Sequence, residues 1–199
     1  MTRAKSGASD LSDRLRLAGA TVVIIPTIEI VHPDSYDPLD QALARLEQFD
    51  WVVFTSANAV EVFGSRRRSG FLPKRVAVIG PATGRALERL GIPVTLQPSR
   101  FVAEALAEAL APQVAGRSVL LVRAAEARDV LPEALKDAGA EVTIAEAYRN
   151  RVPPDSIALI KENLSSPDNF PDVITFTSAS TARNLIDLLE QAGLELPSS

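Results

Sequence analysis

The chain repeats itself at a spacing of about 120 residues, and this repeat restricts the folds that it can adopt. Residues 2–24 align with residues 122–144, and both copies contain the tripeptide Ala-Gly-Ala. The segment DWVVFTSA at 50–57 aligns in the same way with DVITFTSA at 172–179. Because a single duplication explains both alignments, we expect two related lobes.

The same alignment predicts that one lobe is incomplete. Segments 75–91 and 101–110 would have partners that begin near residue 197, whereas the sequence has 199 residues. A partner for segment 118–123 would begin before Met1. We therefore expect the second copy to be shortened at both ends, mostly at the C-terminus. Unpaired strands and exposed apolar faces would then make this form weakly stable and poorly active.

Between residues 51 and 146, short apolar runs alternate with segments that have helical spacing of Ala and Leu. Such alternation is typical of a parallel sheet with helices on both faces, because parallel neighbours need crossover connections. The predicted strands are WVVFT, VAVIG, VTL, VLLV and VTIAE, and the predicted helices lie near 57–67, 82–90, 101–111 and 126–138.

The other lobe is predicted to form from both chain ends, so that the chain leaves it once and returns once. Its predicted elements are a helix at 8–18, strands at 21–26 and 173–177, and a helix at 181–192. The crossing segments 25–33 and 144–154 end in prolines and are expected to pair as extended strands.

The predicted fold class is therefore α/β, with two flavodoxin-like parallel-sheet lobes joined by a two-stranded crossover ladder, one lobe being incomplete. Lobe 1 would comprise 1–30 and 151–199, lobe 2 would comprise 34–146, and 25–33 with 144–154 would be the linkers. A cleft between two such lobes is a common place for a ligand.

Composition excludes several classes of protein. The chain has no cysteine and a single histidine, His32, which leaves no credible zinc or iron site. No apolar run approaches the length of a membrane span, and the N-terminus lacks a signal-peptide core, so a soluble cytoplasmic protein is expected. The formal charge of −4, without basic-aromatic interleaving, argues against nucleic-acid binding.

Small polar residues follow several predicted strands and open the next helix. They occur in FTSAN (54–58), IGPATG (79–84), LVRA (121–124) and FTSAS (176–180). Backbone N–H groups at such helix starts suit carboxylates or phosphates. Helix capping alone explains the same residue types, and the two interpretations compete at Ser56, Asn58, Thr83, Ser178 and Ser180.

Other residues also have competing interpretations. Arg3 and Arg123 match each other at strand ends and are candidates for pairing with carboxylates. Tyr148 lies on a crossing segment, where its ring could simply pack or its hydroxyl could act as a hydrogen-bond donor. The favoured interpretations are a turn residue for His32, a core residue for Trp51, and a solvated helix end for the arginines at 66–68.

IGPATG does not match a nucleotide-binding loop. It lacks the Gly-Lys-Ser/Thr ending of a P-loop and the three-glycine spacing of a dinucleotide-binding turn.

Four segments in this order and spacing resemble the uroporphyrinogen-III synthase family. They are DWVVFTSANAVEVF, VAVIGPATGRALERLGI, VLLVRAAEARDVLPEALKDAGAEV leading into AYRN, and DVITFTSASTARNLIDLL. The resemblance extends over nearly the whole chain and implies a two-lobed fold with a β-ladder linker. Family members continue beyond the equivalent of Ser199 with a further turn, strand and helix.

The resemblance implies a hydro-lyase of porphyrin and haem biosynthesis that closes linear hydroxymethylbilane to uroporphyrinogen III. The last pyrrole ring is inverted and water is lost, and no cofactor is needed. A monomer acting on this small molecule, with no nucleic-acid or membrane partner, is implied.

The resemblance also assigns roles to residues of this chain. Tyr148 would be the catalytic donor that assists departure of the hydroxyl group. The substrate-binding residues would be Arg3, Thr55, Ser56, Asn58, Thr83, Arg123, Thr177 and Ser178, and there would be no metal ligand.

Two other classes stay open at this point. A two-lobed protein that binds a small anionic ligand without chemistry would have the same pattern. A receiver-like signalling module is a third interpretation, although such modules cluster acidic residues at strand ends, whereas Asp50 and Asp172 lie at predicted strand starts.

Overall fold

The chain forms two compact units in a computed structural model that describes residues 9–67, 70–166, 170–176 and 178–194. We call the unit Met1–Val31 with Asn150–Ser199 the terminal unit, and the unit His32–Arg149 the central unit.

Eight α-helices and five strands are assigned within the described ranges, together with a 3₁₀ turn at Leu46–Gln48. The helices are α1 (Ser9–Leu17), α2 (Asp37–Ala44), α3 (Ala57–Arg66), α4 (Pro81–Arg89), α5 (Ala103–Val114), α6 (Val130–Asp137), α7 (Ser156–Leu164) and α8 (Ala179–Ala192). The strands are β1 (Glu29–Val31), β2 (Trp51–Phe54), β3 (Val76–Val78), β4 (Ser118–Ala124) and β5 (Glu141–Arg151). None of these helices is both long and apolar enough to cross a membrane.

The strands form one sheet in the order β1-β5-β4-β2-β3. Strands β3, β2, β4 and β5 are parallel, with Val52 opposite Val76 on one side and Leu120 on the other. The chain passes from β2 outward to β3 and then returns to the other side of β2 for β4. The strand order thus reverses between β2 and β4, which is the topological switch point where doubly wound sheets bind ligands. The predicted α/β fold class is confirmed.

The sheet of the central unit is buried on both faces because alternate residues of each strand point to opposite sides. Val52 and Phe54 join a cluster with residues of α2, α3 and α4. Trp51 and Val53 join a second cluster with residues of α5 and α6. All four β2 side chains are fully buried, so the prediction that Trp51 is a core residue is confirmed.

Local sequence accounts for several helix boundaries. Gly80 precedes α4 and Pro81 occupies its first turn, where the fixed φ of proline suits the helix. Helix α6 ends at Asp137 and is followed by Gly139, whose φ of 86° is in the left-handed region that glycine reaches without strain. Arg66 and Arg67 lie at the C-terminal end of α3, where the helix dipole favours cations, whereas Arg68 lies outside the described residues. Arg66 also pairs with Asp40 at 2.5 Å.

The crossing segments pair as the sequence predicts, since β1 is hydrogen-bonded to β5 in the sheet. Arg151 Nε lies 2.8 Å from a carboxylate oxygen of Glu29. His32 follows β1 directly, and its Nδ1 lies 2.7 Å from the Tyr36 hydroxyl.

Three predicted strands are wrong. VTL contributes only an isolated bridge, between Leu96 and Ala77. No strand is assigned to residues 21–26. None is assigned to 173–176 either, which is the described part of the predicted strand 173–177. An extended segment becomes a strand only where a neighbour supplies hydrogen-bond partners, and the described part of the terminal unit shows no ladder for these two segments.

Two helices of the terminal unit, α7 and α8, pack around a small apolar cluster. Leu185, Leu188 and Leu189 of α8 contact Ile160 and Leu164 of α7 in a cluster that also contains Ile25. Helices α2 and α7 were not predicted from the sequence. Both are short, and each begins close to a proline-containing segment that the sequence alone indicates as loop or crossover.

Candidate active site at the carboxyl edge of the central sheet

Two polar segments of the central unit lie at the carboxyl ends of the parallel strands β2 and β3. Thr55 and Ser56 follow β2, and Asn58 lies in the first turn of α3. Thr83 lies in the first turn of α4, after β3. Carboxyl ends of parallel strands meet at one edge, so the topology places these segments beside the switch point between β2 and β4.

Ser56 connects the start of α3 to Tyr148. Its Oγ accepts a hydrogen bond from the backbone N–H of Ala59 at 3.2 Å and therefore caps the helix. The same Oγ accepts a hydrogen bond from the Tyr148 hydroxyl at 3.0 Å. Ser56 is half-buried. Ser56 therefore both caps α3 and contacts the candidate residue Tyr148. Helix capping and a role in the site do not exclude each other at this position.

Tyr148 reaches Ser56 from β5, across the intervening strand β4. Its ring belongs to the same apolar cluster as Ala124 of β4 and Phe54 of β2, and only 8% of the residue is exposed. The ring is therefore held in place by packing, and the hydroxyl projects to the edge where α3 begins.

A β-bulge sets this orientation. Arg123 lies opposite Glu146, whereas the next residue of β4, Ala124, lies opposite Tyr148, so β5 contains one extra residue here. In a regular strand Ala147 and Tyr148 would point to opposite faces of the sheet. With the bulge, both belong to the same core cluster. No pattern in the sequence indicates this bulge.

Thr83 is 5% exposed, and its backbone N–H donates to the Gly80 carbonyl at 3.1 Å. The turn before it is covered by Phe101, since a Cβ atom built on Gly80 would lie 3.4 Å from the Cβ of Phe101. Phe101 nevertheless remains 55% exposed. Sequence reasoning did not single out Phe101, because one aromatic residue before a helix carries no distinctive pattern.

Arg123 is engaged inside the protein. Its side chain is 9% exposed and donates to Asp129 Oδ1 at 2.6 Å and to the Arg128 carbonyl at 3.0 Å. Arg128 in turn pairs with Glu104 of α5 at 3.0 Å. The Glu104 backbone N–H, and secondarily Arg128, lower the pKa of the Glu104 carboxyl. These contacts hold the turn between β4 and α6, a role that the spacing of Arg123 and Asp129 in the sequence did not reveal.

The remaining predicted residues belong to the terminal unit. Ser178 caps α8 by accepting from the Thr181 N–H at 3.3 Å, and Thr181 Oγ1 accepts from the Ser178 N–H, which completes a capping box. The Ser180 hydroxyl lies 3.2 Å from that of Ser178. Arg3 and Thr177 lie outside the described residues.

The predicted polar residues that follow β2 and β3 have neutral side chains: Thr55, Ser56, Asn58 and Thr83. In the described part of the chain, no group of three or more His, Cys, Asp or Glu side chains is arranged to hold a metal ion. Helix starts add N–H groups, because the first turn of a helix leaves its backbone donors without intrahelical partners. The arrangement can hold anionic groups and hydroxyl groups in fixed positions.

Comparisons with known proteins agree on one family. A family model described as "Uroporphyrinogen-III synthase HemD" matches residues 9–198. The uroporphyrinogen-III synthase of Synechococcus elongatus is 37% identical over 94% of this chain and 73% of its own length. That of Chlorobaculum parvum is 27% identical over 95% of this chain and 78% of its own.

A solved structure shows the same fold. The crystal structure of a mutant uroporphyrinogen III synthase from Thermus thermophilus superposes with a TM-score of 0.66 at 16% identity, covering 94% of this chain and 86% of that one.

Proposed function

Because the chain belongs to the uroporphyrinogen-III synthase family, we propose that it converts linear hydroxymethylbilane to uroporphyrinogen III at the carboxyl edge of its central sheet. The observation that carries this site assignment is the hydrogen bond between Tyr148 and Ser56 at the switch point between β2 and β4.

The reaction needs a leaving group to depart and one conformer to be held. The C–O bond of the hydroxymethyl group breaks with its electron pair on oxygen, while the pyrrole nitrogen of that ring supplies electrons and loses its proton. The hydroxide and that proton together make the water that is lost. The terminal ring then attacks this methylene through its substituted α-carbon, which gives a spiro intermediate. The older bond from that carbon to the neighbouring methylene bridge breaks, the free α-carbon of the terminal ring bonds to the released methylene, and that α-carbon loses its proton, so the ring is left inverted.

Holding the substrate is the larger task, because the bilane closes unaided to the uninverted isomer. Catalysis is then mainly positioning, in which binding energy selects the geometry that leads to the spiro intermediate. Fixed dipoles suit this task better than mobile side chains, since they need no reorganisation during the reaction. The packed ring of Tyr148 and the capped start of α3 are fixed in this sense.

The substrate carries eight carboxylates, which require many donors. The starts of α3 and α4 provide N–H groups and the positive ends of helix dipoles, and Thr55, Asn58 and Thr83 lie in these turns. The exposed ring of Phe101 offers an apolar surface beside the α4 turn for the pyrrole part of the same molecule. In the terminal unit, the capped start of α8 at Ser178 is a further candidate for a carboxylate.

The two predicted arginines have different proposed roles. Arg123 would act through the turn that it holds, because its guanidinium is already paired with Asp129. Arg3 stays a candidate for direct carboxylate binding on the basis of the repeat alone.

The test is a product assay. Purified protein is incubated with hydroxymethylbilane, the products are oxidised, and the type I and type III isomers are separated by chromatography. Type III product above that formed without protein supports the proposal. Type I product alone from protein shown to be folded would contradict it, and measurable bilane binding in that case would indicate a non-catalytic binding protein.

A further inference from the structure

We infer that the Ser56 hydroxyl, and not the Tyr148 phenol, is the group that donates a hydrogen bond to the departing hydroxyl of the bilane, while Tyr148 is a positioning residue that polarises Ser56. The inference rests on the proposed function and divides the roles of two residues within that site.

The hydrogen-bond inventory of Ser56 is the first step. A serine hydroxyl has two acceptor lone pairs and one proton. Both acceptor positions of Ser56 are occupied, one by the Ala59 N–H at 3.2 Å and the other by the Tyr148 hydroxyl at 3.0 Å. The Ser56 proton is therefore the part of this hydroxyl that is available to a ligand.

The inventory of Tyr148 gives the complementary result. Its single proton is directed to Ser56 Oγ, so the phenol oxygen has only lone pairs left for a ligand. Tyr148 is 8% exposed and its ring lies in the core, whereas Ser56 is half-buried at the edge. The more accessible of the two groups is thus also the one with a free proton.

The environment strengthens Ser56 as a donor. A hydroxyl that accepts two hydrogen bonds is polarised and donates more strongly, because hydrogen bonds in a chain are cooperative. Ser56 also lies at the positive end of α3, which stabilises negative charge on a neighbouring leaving oxygen. In the reaction the C–O electron pair moves to that oxygen, and the Ser56 hydrogen bond stabilises it without net transfer of the serine proton.

The kinetic experiment separates donation from capping. Ser56→Gly keeps most of the helix stability, since glycine is a good N-cap, but removes the hydroxyl. We expect kcat for type III product to fall about 100-fold, the loss typical of one preorganised donor, with KM changed less than about 3-fold. Ser56→Asn retains both a cap acceptor and an N–H donor, and we expect it to recover a substantial part of kcat.

Tyr148→Phe should lower kcat about 10-fold, because Ser56 keeps its proton and loses only polarisation and orientation. In the double variant Ser56→Gly/Tyr148→Phe, the loss of kcat should be smaller than the product of the two single losses, because both substitutions act through the Ser56 hydroxyl. Tyr36→Phe is the matched control, as it alters the other of the two tyrosines. A larger loss in Tyr148→Phe than in Ser56→Gly, or fully multiplicative losses, would overturn the inference.

A spectroscopic measurement tests the hydrogen-bond direction independently of activity. In Tyr36→Phe protein, Tyr148 is the remaining tyrosine, and the intensity ratio of its Raman Fermi doublet distinguishes a donating phenol from an accepting one. A donor signature that changes in Ser56→Gly supports the inference, and an acceptor signature in the parent protein overturns it. Absence of type III product from the parent protein would instead contradict the proposed function, and with it the catalytic role assigned to Ser56.

Discussion

The segments DWVVFTSA and DVITFTSA are nearly the same sequence in two different structural states. In the central unit, Trp51–Phe54 forms the fully buried strand β2 between β3 and β4. In the terminal unit, the equivalent residues are not in a strand, and Val173 and Phe176 are 72% and 45% exposed. The two copies nevertheless end alike, because Ser56 and Ser178 each cap the helix that follows.

This difference separates local from tertiary effects. A serine cap needs only its own side chain and an N–H three residues later, so each copy forms one whatever surrounds it. A strand needs hydrogen-bond partners on neighbouring strands and an apolar surface against each face. The central unit supplies both for β2, whereas no ladder is present for residues 173–176.

Truncating the phenylalanine should lower stability far more in β2 than in the equivalent segment of the terminal unit. Phe54→Ala should cost about 3–5 kcal/mol, because Phe54 is fully buried and packs edge-to-face on Phe63 with ring centroids 5.0 Å apart. Phe176→Ala, the matched change, should cost less than about 1 kcal/mol. Urea unfolding followed by fluorescence of Trp51, the single tryptophan, reports the central unit. Equal losses in the two variants, with circular dichroism following the terminal unit, would refute the distinction.

Removing a serine cap should cost less stability than removing Phe54. The costs at the two caps should also differ less from each other. Ser178→Ala removes one cap and should cost about 1 kcal/mol. Ser56→Ala should cost about 2 kcal/mol, since it also leaves the buried hydroxyl of Tyr148 without this acceptor. Hydrogen exchange of the first-turn amides in α3 and α8 measures each loss locally. If Ser178→Ala proved the more costly change, the hydrogen bond from Tyr148 would contribute nothing.

Replacing the glycine should cost the same stability in both Ala-Gly-Ala turns, because the geometry of each turn is set by neighbouring residues. Gly19 and Gly139 have φ values of 88° and 86°, and each is followed by an alanine that donates back to the helix, at 3.0 Å in both copies. Alanine at either position should cost about 1 kcal/mol through left-handed strain. Exchange rates of amides in α1 and α6 provide the measurement. Unequal costs would mean that surroundings contribute even here.

The smallest effect concerns the acid dependence of the central unit. A hydrogen bond from the backbone of Ser118 lowers the pKa of Asp50 below its ordinary value of 3.8. A lowered folded-state pKa gives stability that is present above the unfolded pKa and lost as pH falls through the folded pKa. Asp50→Asn should therefore cost about 0.5 kcal/mol at neutral pH and almost nothing in strong acid.

Urea midpoints of Asp50→Asn and the parent protein, measured across the acidic range, check this expectation. Asp172→Asn is the matched control, because Asp172 is the repeat equivalent and is exposed. A constant difference between Asp50→Asn and the parent at all pH values would show that the carboxylate charge is not the cause.

Much of the candidate site was predictable because its residues lie at element boundaries. Ser56 and Thr83 open helices after buried strands, and small polar residues after apolar runs indicate such boundaries. The hydrogen bond from Tyr148 to Ser56 joins residues 92 positions apart and depends on the bulge opposite Ala124. No local pattern reports a bulge, because it follows from the pairing of two strands.

Arg123 illustrates the same limit. Its place at a strand end predicted a carboxylate partner, and the partner is Asp129 of its own chain. Whether a side chain turns outward to a ligand or inward to a neighbour depends on how the following turn packs, which spacing in sequence does not describe.

Several features could be read from the amino-acid sequence alone: the repeat, the α/β alternation in the central unit, the helix caps and the glycine turns. These follow from interactions within a few residues or from the alternation of apolar side chains. Tertiary structure alone decided which extended segments are strands, which way Tyr148 points, and which of its neighbours receives its proton. Those outcomes depend on hydrogen-bond partners and packing surfaces that come from distant parts of the chain.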